Sequence, residues 1–318
     1  MSEAARPELL LTSPIMEHVV EQQLAPRFSL VPYEALETTD LSAIRGIATR
    51  GKRPVGDALM ARLPALEIVA NFGVGYDTVD AAAAARRGVL VTHTPDVLNE
   101  EVADLALGLL LATVREIPQA DRFVRAGRWP AGAFPLGPTL RDRTVGMVGM
   151  GRIGRAIARR LEGFSVPVVY HSRRAQPDLA YTHYPDLIEM ARAVDVLMVI
   201  VPGGAATYHM VNADVLRALG PNGILINVAR GSVVDEKALL TALEERTILS
   251  AGLDVFEDEP RVPDAFFPLD NVVLLPHVGS ASHYTRNAMG QLVVDNLLSW
   301  FDGKGPLTPV PETPWPRS

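Results

Sequence analysis

Between residues 144 and 161 the apolar run Thr144–Val145–Gly146–Met147–Val148 leads into three glycines, Gly149, Gly151 and Gly154. The helical pattern Arg152–Leu161 starts among them. This strand–turn–helix unit restricts the fold more than any other stretch of the chain. A GxGxxG pattern alone is weak, because glycines recur by chance; a buried strand before it and a helix after it supply the context. Gly149 permits the tight turn, Gly151 lets a phosphate approach the backbone, and Gly154 allows close helix–strand packing. Free amides at the helix start complete an anion site suited to a dinucleotide pyrophosphate. A plain strand–turn–helix with glycines for packing alone would show the same letters.

Short apolar runs alternate with helical patterns along most of the chain, as in α/β proteins with parallel strands. Expected strands are Glu8–Thr12, Ala43–Thr49, Ile68–Asn71, Val89–Thr92, Thr144–Val148, Val166–Tyr170, Val194–Val199, Ile224–Asn227, Leu249–Leu253 and Val272–Leu275. Helices are expected at Arg152–Glu162, Asn212–Ala218 and Glu236–Glu245, and the proline-rich tail Pro306–Ser318 is expected to be extended. With 318 residues the chain is long enough for two domains of roughly 150 residues. Two long helices, Asp96–Arg115 and Tyr284–Phe301, are apolar or mixed around their circumference, which fits places where a chain passes between domains. The glycine turn lies well inside the chain. A dinucleotide domain over 98–284 is therefore expected, inserted into a substrate domain formed by 1–97 and 285–318.

Net charge is −7 with the acids dispersed, which gives no electrostatic footprint for nucleic acid or an anionic membrane. There is no cysteine, so disulfides, a thiolate nucleophile and the common zinc clusters are excluded, and no metal is expected. The first residues lack a basic start followed by a long apolar run, and the most apolar stretch, Leu105–Val114, is too short for a membrane span. A cytoplasmic location is expected.

Roughly twenty residues beyond the glycine turn, an NAD enzyme places an acid to hold the ribose 2′-hydroxyl. This chain has Val168–Val–Tyr–His–Ser172–Arg173–Arg174 there, and its next acid is Asp178. A hydroxyl and two guanidiniums suit a 2′-phosphate, so NADP(H) is expected in preference to NAD(H). Two solvated surface arginines would read the same way.

Three ionisable groups follow three later strands: Arg230 after Ile226–Asn–Val–Ala, Glu259 after Gly252–Leu–Asp–Val–Phe–Glu–Asp, and His277 after Leu274–Leu–Pro. In an open α/β sheet such strand ends face the ligand crevice, so the three could converge. Each alone has a bland reading, and seven histidines make a choice by residue type a guess.

The order of these segments resembles the D-isomer-specific 2-hydroxyacid dehydrogenase family over nearly the whole chain. The resemblance rests on Asn71–Phe–Gly–Val–Gly–Tyr–Asp77, Thr94–Pro–Asp96, Val102–Ala–Asp104, the glycine turn, Val228–Ala–Arg–Gly231, Asp254–Val–Phe256, Glu259–Pro260 and Pro276–His277. The Asn71–Asp77 form and the basic Ser172–Arg174 segment are most similar to its glyoxylate/hydroxypyruvate reductase branch. The resemblance implies two doubly wound parallel-sheet domains, a Rossmann-type cofactor domain inserted in a flavodoxin-like substrate domain, with an active-site cleft between them. It further implies a homodimer that packs through the Asp96–Arg115 helix and the loop around Trp129.

Carried onto this sequence, the family mechanism makes Arg230 the partner of the substrate carboxylate, His277 the proton donor to the carbonyl oxygen, and Glu259 the hydrogen-bond partner of the imidazole. Val74 and Gly75 would bind the substrate carboxylate through their amides. Cofactor contacts are implied at Gly149, Gly151, Arg152, Ile153, Gly154, Ser172, Arg173, Arg174, Val201, Pro202, Thr207, Val228, Arg230, Asp254, His277 and Gly279. The segment Val201–Thr207 departs from the family in carrying Gly203–Gly204, which puts its contacts in doubt. Trp129 fits a partner-subunit residue near the substrate and fits helix packing equally well.

The expected reaction is NADPH-dependent reduction of glyoxylate or hydroxypyruvate to the 2-hydroxy acid. A formate dehydrogenase is disfavoured by Glu259, where that branch has Gln. Phosphite oxidation uses a similar Arg, Glu and His set and stays open. A 3-phosphoglycerate dehydrogenase often carries a further domain, and this chain ends soon after its last long helix. A dinucleotide-sensing corepressor is the alternative of a different class, and the compact termini lean against it.

Overall fold

A computed structural model describes residues 6–51 and 53–316. By internal packing the chain divides into two compact units, residues 1–98 with 282–318, and residues 99–281. Chain order begins with β1 (Glu8–Leu11), α1 (Glu21–Leu24), β2 (Ser29–Pro32), β3 (Ile44–Thr49), α2 (Asp57–Ala61), β4 (Ile68–Asn71), α3 (Ala81–Arg86) and β5 (Leu90–Thr92). The second unit runs α4 (Asn99–Val114), α5 (Ile117–Arg125), β6 (Val145–Val148), α6 (Arg152–Glu162), β7 (Val168–His171), β8 (Thr182–Tyr184), α7 (Leu187–Ala193) and β9 (Val196–Val199). It continues through α8 (Ala213–Leu219), β10 (Ile224–Asn227), α9 (Glu236–Glu244), β11 (Ser250–Leu253) and β12 (Val272–Leu274), before α10 (His283–Phe301) returns the chain to the first unit.

The first unit is a five-stranded sheet of order β2-β1-β3-β4-β5 with every pairing parallel, the flavodoxin-like order of doubly wound folds. The second is a seven-stranded sheet of order β12-β11-β10-β9-β6-β7-β8, again all parallel. Strand order reverses between β6 and β9, so the glycine turn that follows β6 sits at the switch point where such sheets bind ligands. Parallel strands covered on both faces must be apolar throughout. Accordingly β6, β9, β10 and β11 are buried at every residue.

The central elements match their sequence patterns, as do the edge strands β5 and β12, whereas the opposite edges do not. Strands Ile68–Asn71 and Ile224–Asn227 and helix Arg152–Glu162 lie where expected. Strands β2 and β8 were not expected: both are edge strands, half solvated, and neither carries the unbroken apolar run of a central strand. The helix expected from Asp96 starts at Asn99, because Asp96 takes φ +69° and ends helical geometry before it begins. The tail is not free: Pro309 bridges Thr92, and Val310 N–H donates to Val91 O at 2.9 Å, so it lies along β5.

Helix α4 is apolar because it packs inside the second unit, with Val102, Ala103, Ala106, Leu109 and Leu110 buried. It lies against β11 at Gly252, where a Cβ would meet Thr113 Oγ1 at 2.5 Å and Leu109 Cγ at 2.9 Å. Thr113 cannot readily give way, since its hydroxyl donates to Leu109 O at 2.7 Å. Gly252→Ala is therefore expected to lower unfolding free energy by roughly 1–3 kcal/mol through overpacking. Urea denaturation of the variant checks this, and an unchanged midpoint would show that α4 can shift freely.

Candidate active site

The glycine turn is built as its spacing demands. Gly149 has φ +104°, and a Cβ there would lie 2.6 Å from Ile200 O. At Gly154 a Cβ would lie 2.5 Å from Gly149 O, so α6 approaches the end of β6 too closely for any side chain. Gly151 differs: it is the exposed N-cap of α6, and a Cβ there would meet no atom within 4 Å. Packing accounts for the first and last glycines, whereas the middle one leaves bare backbone open to an approaching group. Gln176 joins the turn through Nε2–H to Met150 O at 3.1 Å, and its own amide donates to the Tyr170 hydroxyl at 2.8 Å.

Beyond β7, Ser172 Oγ donates to Arg174 O at 2.7 Å and closes a local turn. The donors this segment presents outward are the guanidiniums of Arg173 and Arg174, both exposed. Arg155, by contrast, is engaged by Asp178 at 2.5 Å.

Strands β10, β11 and β12 are neighbours in the sheet, and the loops at their carboxyl ends carry Arg230, Glu259 and His277. Asn227, buried at the end of β10, shapes the first loop: its Oδ1 accepts from Ala229 N at 3.0 Å and its Nδ2 donates to Arg230 O at 3.1 Å. Gly231 then lies against the second loop so closely that a Cβ would land on the backbone of Phe256 and Glu257. The second loop turns back on itself, with Phe256 N–H donating to Glu259 Oε1 at 3.1 Å.

The third loop is fixed from β11. Asp254, 2% exposed, accepts from Val278 N at 2.7 Å on one carboxylate oxygen and from Gly279 N at 2.8 Å on the other. Its backbone carbonyl accepts from His277 N at 2.8 Å. His277 itself takes φ +53°, an uncommon conformation that this clamp holds in place. Burial pushes the Asp254 carboxyl up from the ordinary value, against the two amides that favour its charged form.

These loops bring His277 Nδ1 to 2.6 Å from Glu259 Oε2. A carboxylate only accepts, so Nδ1 carries the hydrogen and Nε2 is the nitrogen left for a ligand. Burial acts to raise the Glu259 carboxyl, but it is outweighed by the hydrogen bond and charge of His277, the Phe256 amide and the Arg230 charge, and the net shift is downward. A carboxylate beside an imidazole and a guanidinium can stabilise a charged imidazole and can itself stay ionised in weak acid.

The expected carboxylate-binding loop lies in the other unit, after β4. Asn71 Nδ2 donates to Gly73 O at 3.1 Å and Gly75 O at 3.0 Å, which curls Gly73–Val74–Gly75 into a tight loop. His93 Nδ1 donates to Val74 O at 2.9 Å, and its ring meets Tyr76 edge-on. The carbonyls of all three loop residues are thus engaged, and Gly73 N–H donates to Asn71 O at 3.1 Å. In the second unit, Thr207 Oγ1 donates to Pro202 O at 2.7 Å and closes the loop that begins at Val201. Ile153 is half-buried in the first turn of α6 and Val228 is buried after β10.

Residues 107–279 match the family model for the D-isomer specific 2-hydroxyacid dehydrogenase NAD binding domain. A glyoxylate/hydroxypyruvate reductase A of Arabidopsis thaliana is 46% identical over 93% of this chain and 96% of that protein. The chain belongs to the D-isomer specific 2-hydroxyacid dehydrogenase family. A 2-ketogluconate reductase of Gluconobacter oxydans is 43% identical over 96% of this chain and 99% of that protein. Among solved structures, an NADPH-dependent glyoxylate/hydroxypyruvate reductase of Sinorhizobium meliloti, crystallised with NADP and malonate, superposes with a TM-score of 0.94. It is 57% identical and covers 99% of both chains.

Sequence reasoning missed the polar supports of this site. Asn71 and Asn227 each stand at the last residue of a strand, a position that could have marked them as turn-formers. Gln176 and Glu257 carried no such signal.

The Glu259 pair sets a pH dependence. Because the folded carboxyl titrates below its ordinary value of 4.5, the unfolded chain binds more protons between the two values, and stability rises with pH across that window. The pair's contribution is complete above the unfolded value and is lost as pH falls through the folded one. Urea denaturation of wild type and Glu259→Gln is expected to give a stability difference that shrinks as pH falls below 4.5. A difference that stayed constant into that range would contradict the pairing.

Proposed function

We propose that this protein reduces a small 2-oxo acid, glyoxylate or hydroxypyruvate, to the 2-hydroxy acid with NADPH. The observation that carries the reading is the 2.6 Å His277–Glu259 hydrogen bond, held at the end of a strand adjacent to the one that delivers Arg230. The identities of 46% and 57% to two named glyoxylate/hydroxypyruvate reductases support the substrate class.

The chain's residues fit a dinucleotide. The open backbone at Gly151, the amides at the start of α6, and the position at the sheet's switch point suit a pyrophosphate. Arg152, Ile153 and Gly154 follow in the same turn. Arg173 and Arg174 are placed after β7 to give forked hydrogen bonds to a 2′-phosphate, with Ser172 shaping their turn. Val201, Pro202 and Thr207 would line the remaining path after β9, and Val228, Asp254 and Gly279, at the neighbouring strand ends, are buried. When bound, the nicotinamide supplies the hydride that adds to the carbonyl carbon.

Arg230 pairs with the substrate carboxylate and polarises the neighbouring carbonyl, a task suited to a permanently charged fork. His277 gives its Nε2 proton to the carbonyl oxygen as the hydride arrives. Glu259, ionised and bonded to Nδ1, offsets the imidazolium charge and fixes the ring's orientation. In the oxidative direction the same nitrogen takes the proton. The Val74 and Gly75 amides, in the loop after β4, are the proposed backbone donors to a substrate carboxylate. Asp254 shapes the site by holding the His277 turn, with its carboxylate already engaged by Val278 and Gly279.

A homodimer fits the surface of the second unit. Trp129 is 65% exposed and Leu136 fully exposed, and Ile117 and Val124 of α5 join them. A second copy of the chain would cover these exposed apolar side chains. A chain without cysteine suits the reducing cytoplasm, where we place it.

An initial-rate matrix of glyoxylate, hydroxypyruvate, pyruvate and phosphite against NADPH and NADH tests the reading. Hydroxypyruvate or glyoxylate with NADPH should give the highest kcat/KM. His277→Ala should cut kcat by roughly a hundredfold. Arg173→Ala with Arg174→Ala should weaken NADPH by roughly 1–3 kcal/mol per charged hydrogen bond lost and spare NADH. Tight NADPH binding without turnover of any 2-oxo acid would sink the reading in favour of a dinucleotide sensor.

A further inference from the structure

A second polar cluster stands behind the Arg230 and Glu259 loops, centred on His209. This residue ends the loop that leaves β9, and it takes φ +48°, a conformation uncommon outside glycine. Its backbone N–H donates to Ser232 O at 2.9 Å, in the turn that follows Arg230. Its Nε2 lies 3.0 Å from Glu257 Oε1, two residues before Glu259. The carboxylate can only accept, so Nε2 carries the hydrogen. Tyr208 stacks on the imidazole at 3.9 Å and donates its hydroxyl to the same oxygen at 3.3 Å. Glu257 N–H in turn donates to Glu236 Oε1 at 2.7 Å.

We propose that His209 is a positioning residue for Glu259: its backbone holds the Arg230 loop and its side chain holds the Glu257–Glu259 loop, setting the two in register. It touches neither substrate nor cofactor in this account, and its relevance to turnover rests on the reductase reading above. The need for such a strut is electrostatic. Asp235, Glu236, Glu257, Asp258 and Glu259 crowd one corner of the unit, with Asp235 Oδ2 3.9 Å from His209 Nδ1. Burial raises the Glu236 carboxyl, and the charges of Glu257, Asp258 and Glu259 raise it further. Arg261 is taken by Asp258 at 2.7 Å. Without the imidazole and its stacked phenol, Glu257 would face its acidic neighbours with no side-chain donor, and the loop carrying Glu259 would be pushed outward.

The test is a carboxyl-carbon NMR titration of Glu259 in wild type, His209→Ala and His209→Gln, with kcat and KM measured in parallel. In His209→Ala, Glu259 is expected to titrate higher than in wild type, towards its ordinary value, because its bond to His277 loosens. The same variant should lose about tenfold in kcat while KM for NADPH changes by less than about twofold, as expected for a misplaced proton-transfer pair. His209→Gln keeps an N–H donor near the Nε2 position and should return the Glu259 titration to its wild-type position and kcat to within about twofold of wild type. If His209→Ala does not fold, Glu257→Ala removes the acceptor instead and should shift Glu259 in the same direction. A Glu259 titration that stays at its wild-type position in the folded variant overturns the proposal. A wild type that turns over no 2-oxo acid, yet shows the titration shift, would overturn the reductase reading and leave the strut standing.

Discussion

The loops that carry Arg230 and Glu259 meet backbone to backbone with nothing between them, and the Glu259 loop so packed reaches His277. At Gly231 the loop after β10 lies directly on Phe256 and Glu257, where no Cβ could be accommodated. That contact sets the height of the Glu259 loop above the sheet. Parallel strands stand about 4.8 Å apart, so neighbouring strand ends place their loops within side-chain reach without long insertions. Strand order β12-β11-β10 thus brings the loops of the 2.6 Å pair within reach of each other, and the Gly231 contact packs the Glu259 loop against the Arg230 loop.

The same unit spends a buried charge to hold one residue in an unusual conformation. Asp254 is almost fully removed from solvent, and burial drives its carboxyl up. Two backbone amides bonded to the carboxylate offset that cost, and together with the His277 amide bonded to the Asp254 backbone carbonyl they pin the turn at φ +53°. A buried acid so used cannot be replaced without leaving two amides unsatisfied. Local strain and local desolvation fall together where the proposed acid must be aimed, the usual place for both.

What the sequence disclosed follows from what each segment faces. Ile68–Asn71, Ile224–Asn227 and Arg152–Glu162 are embedded in apolar layers, so their composition and period report their structure directly. The edge strands Ser29–Pro32 and Thr182–Tyr184 answer to solvent on one side and carry no such signature. The glycine turn was legible as a turn, but only the coordinates separate Gly149 and Gly154, which packing requires, from Gly151, which it does not. Arg230, Glu259 and His277 stood out through their places after strands and through family resemblance. His209 and Glu257, 48 residues apart, meet only because the fold brings their loops together, and nothing local in the sequence marks that meeting.

We propose that the ends of β10, β11 and β12 deliver a guanidinium, a carboxylate and an imidazole to one 2-oxo acid. A crystal structure of the protein with NADP and oxamate, a non-reacting 2-oxo-acid analogue, would place these groups against a substrate. The oxamate carboxylate is expected on Arg230 and its carbonyl oxygen within hydrogen-bond distance of His277 Nε2, with the Nδ1 bond to Glu259 intact. An oxamate bound away from Arg230, or a His277 ring whose Nε2 faces away from the carbonyl, would contradict it.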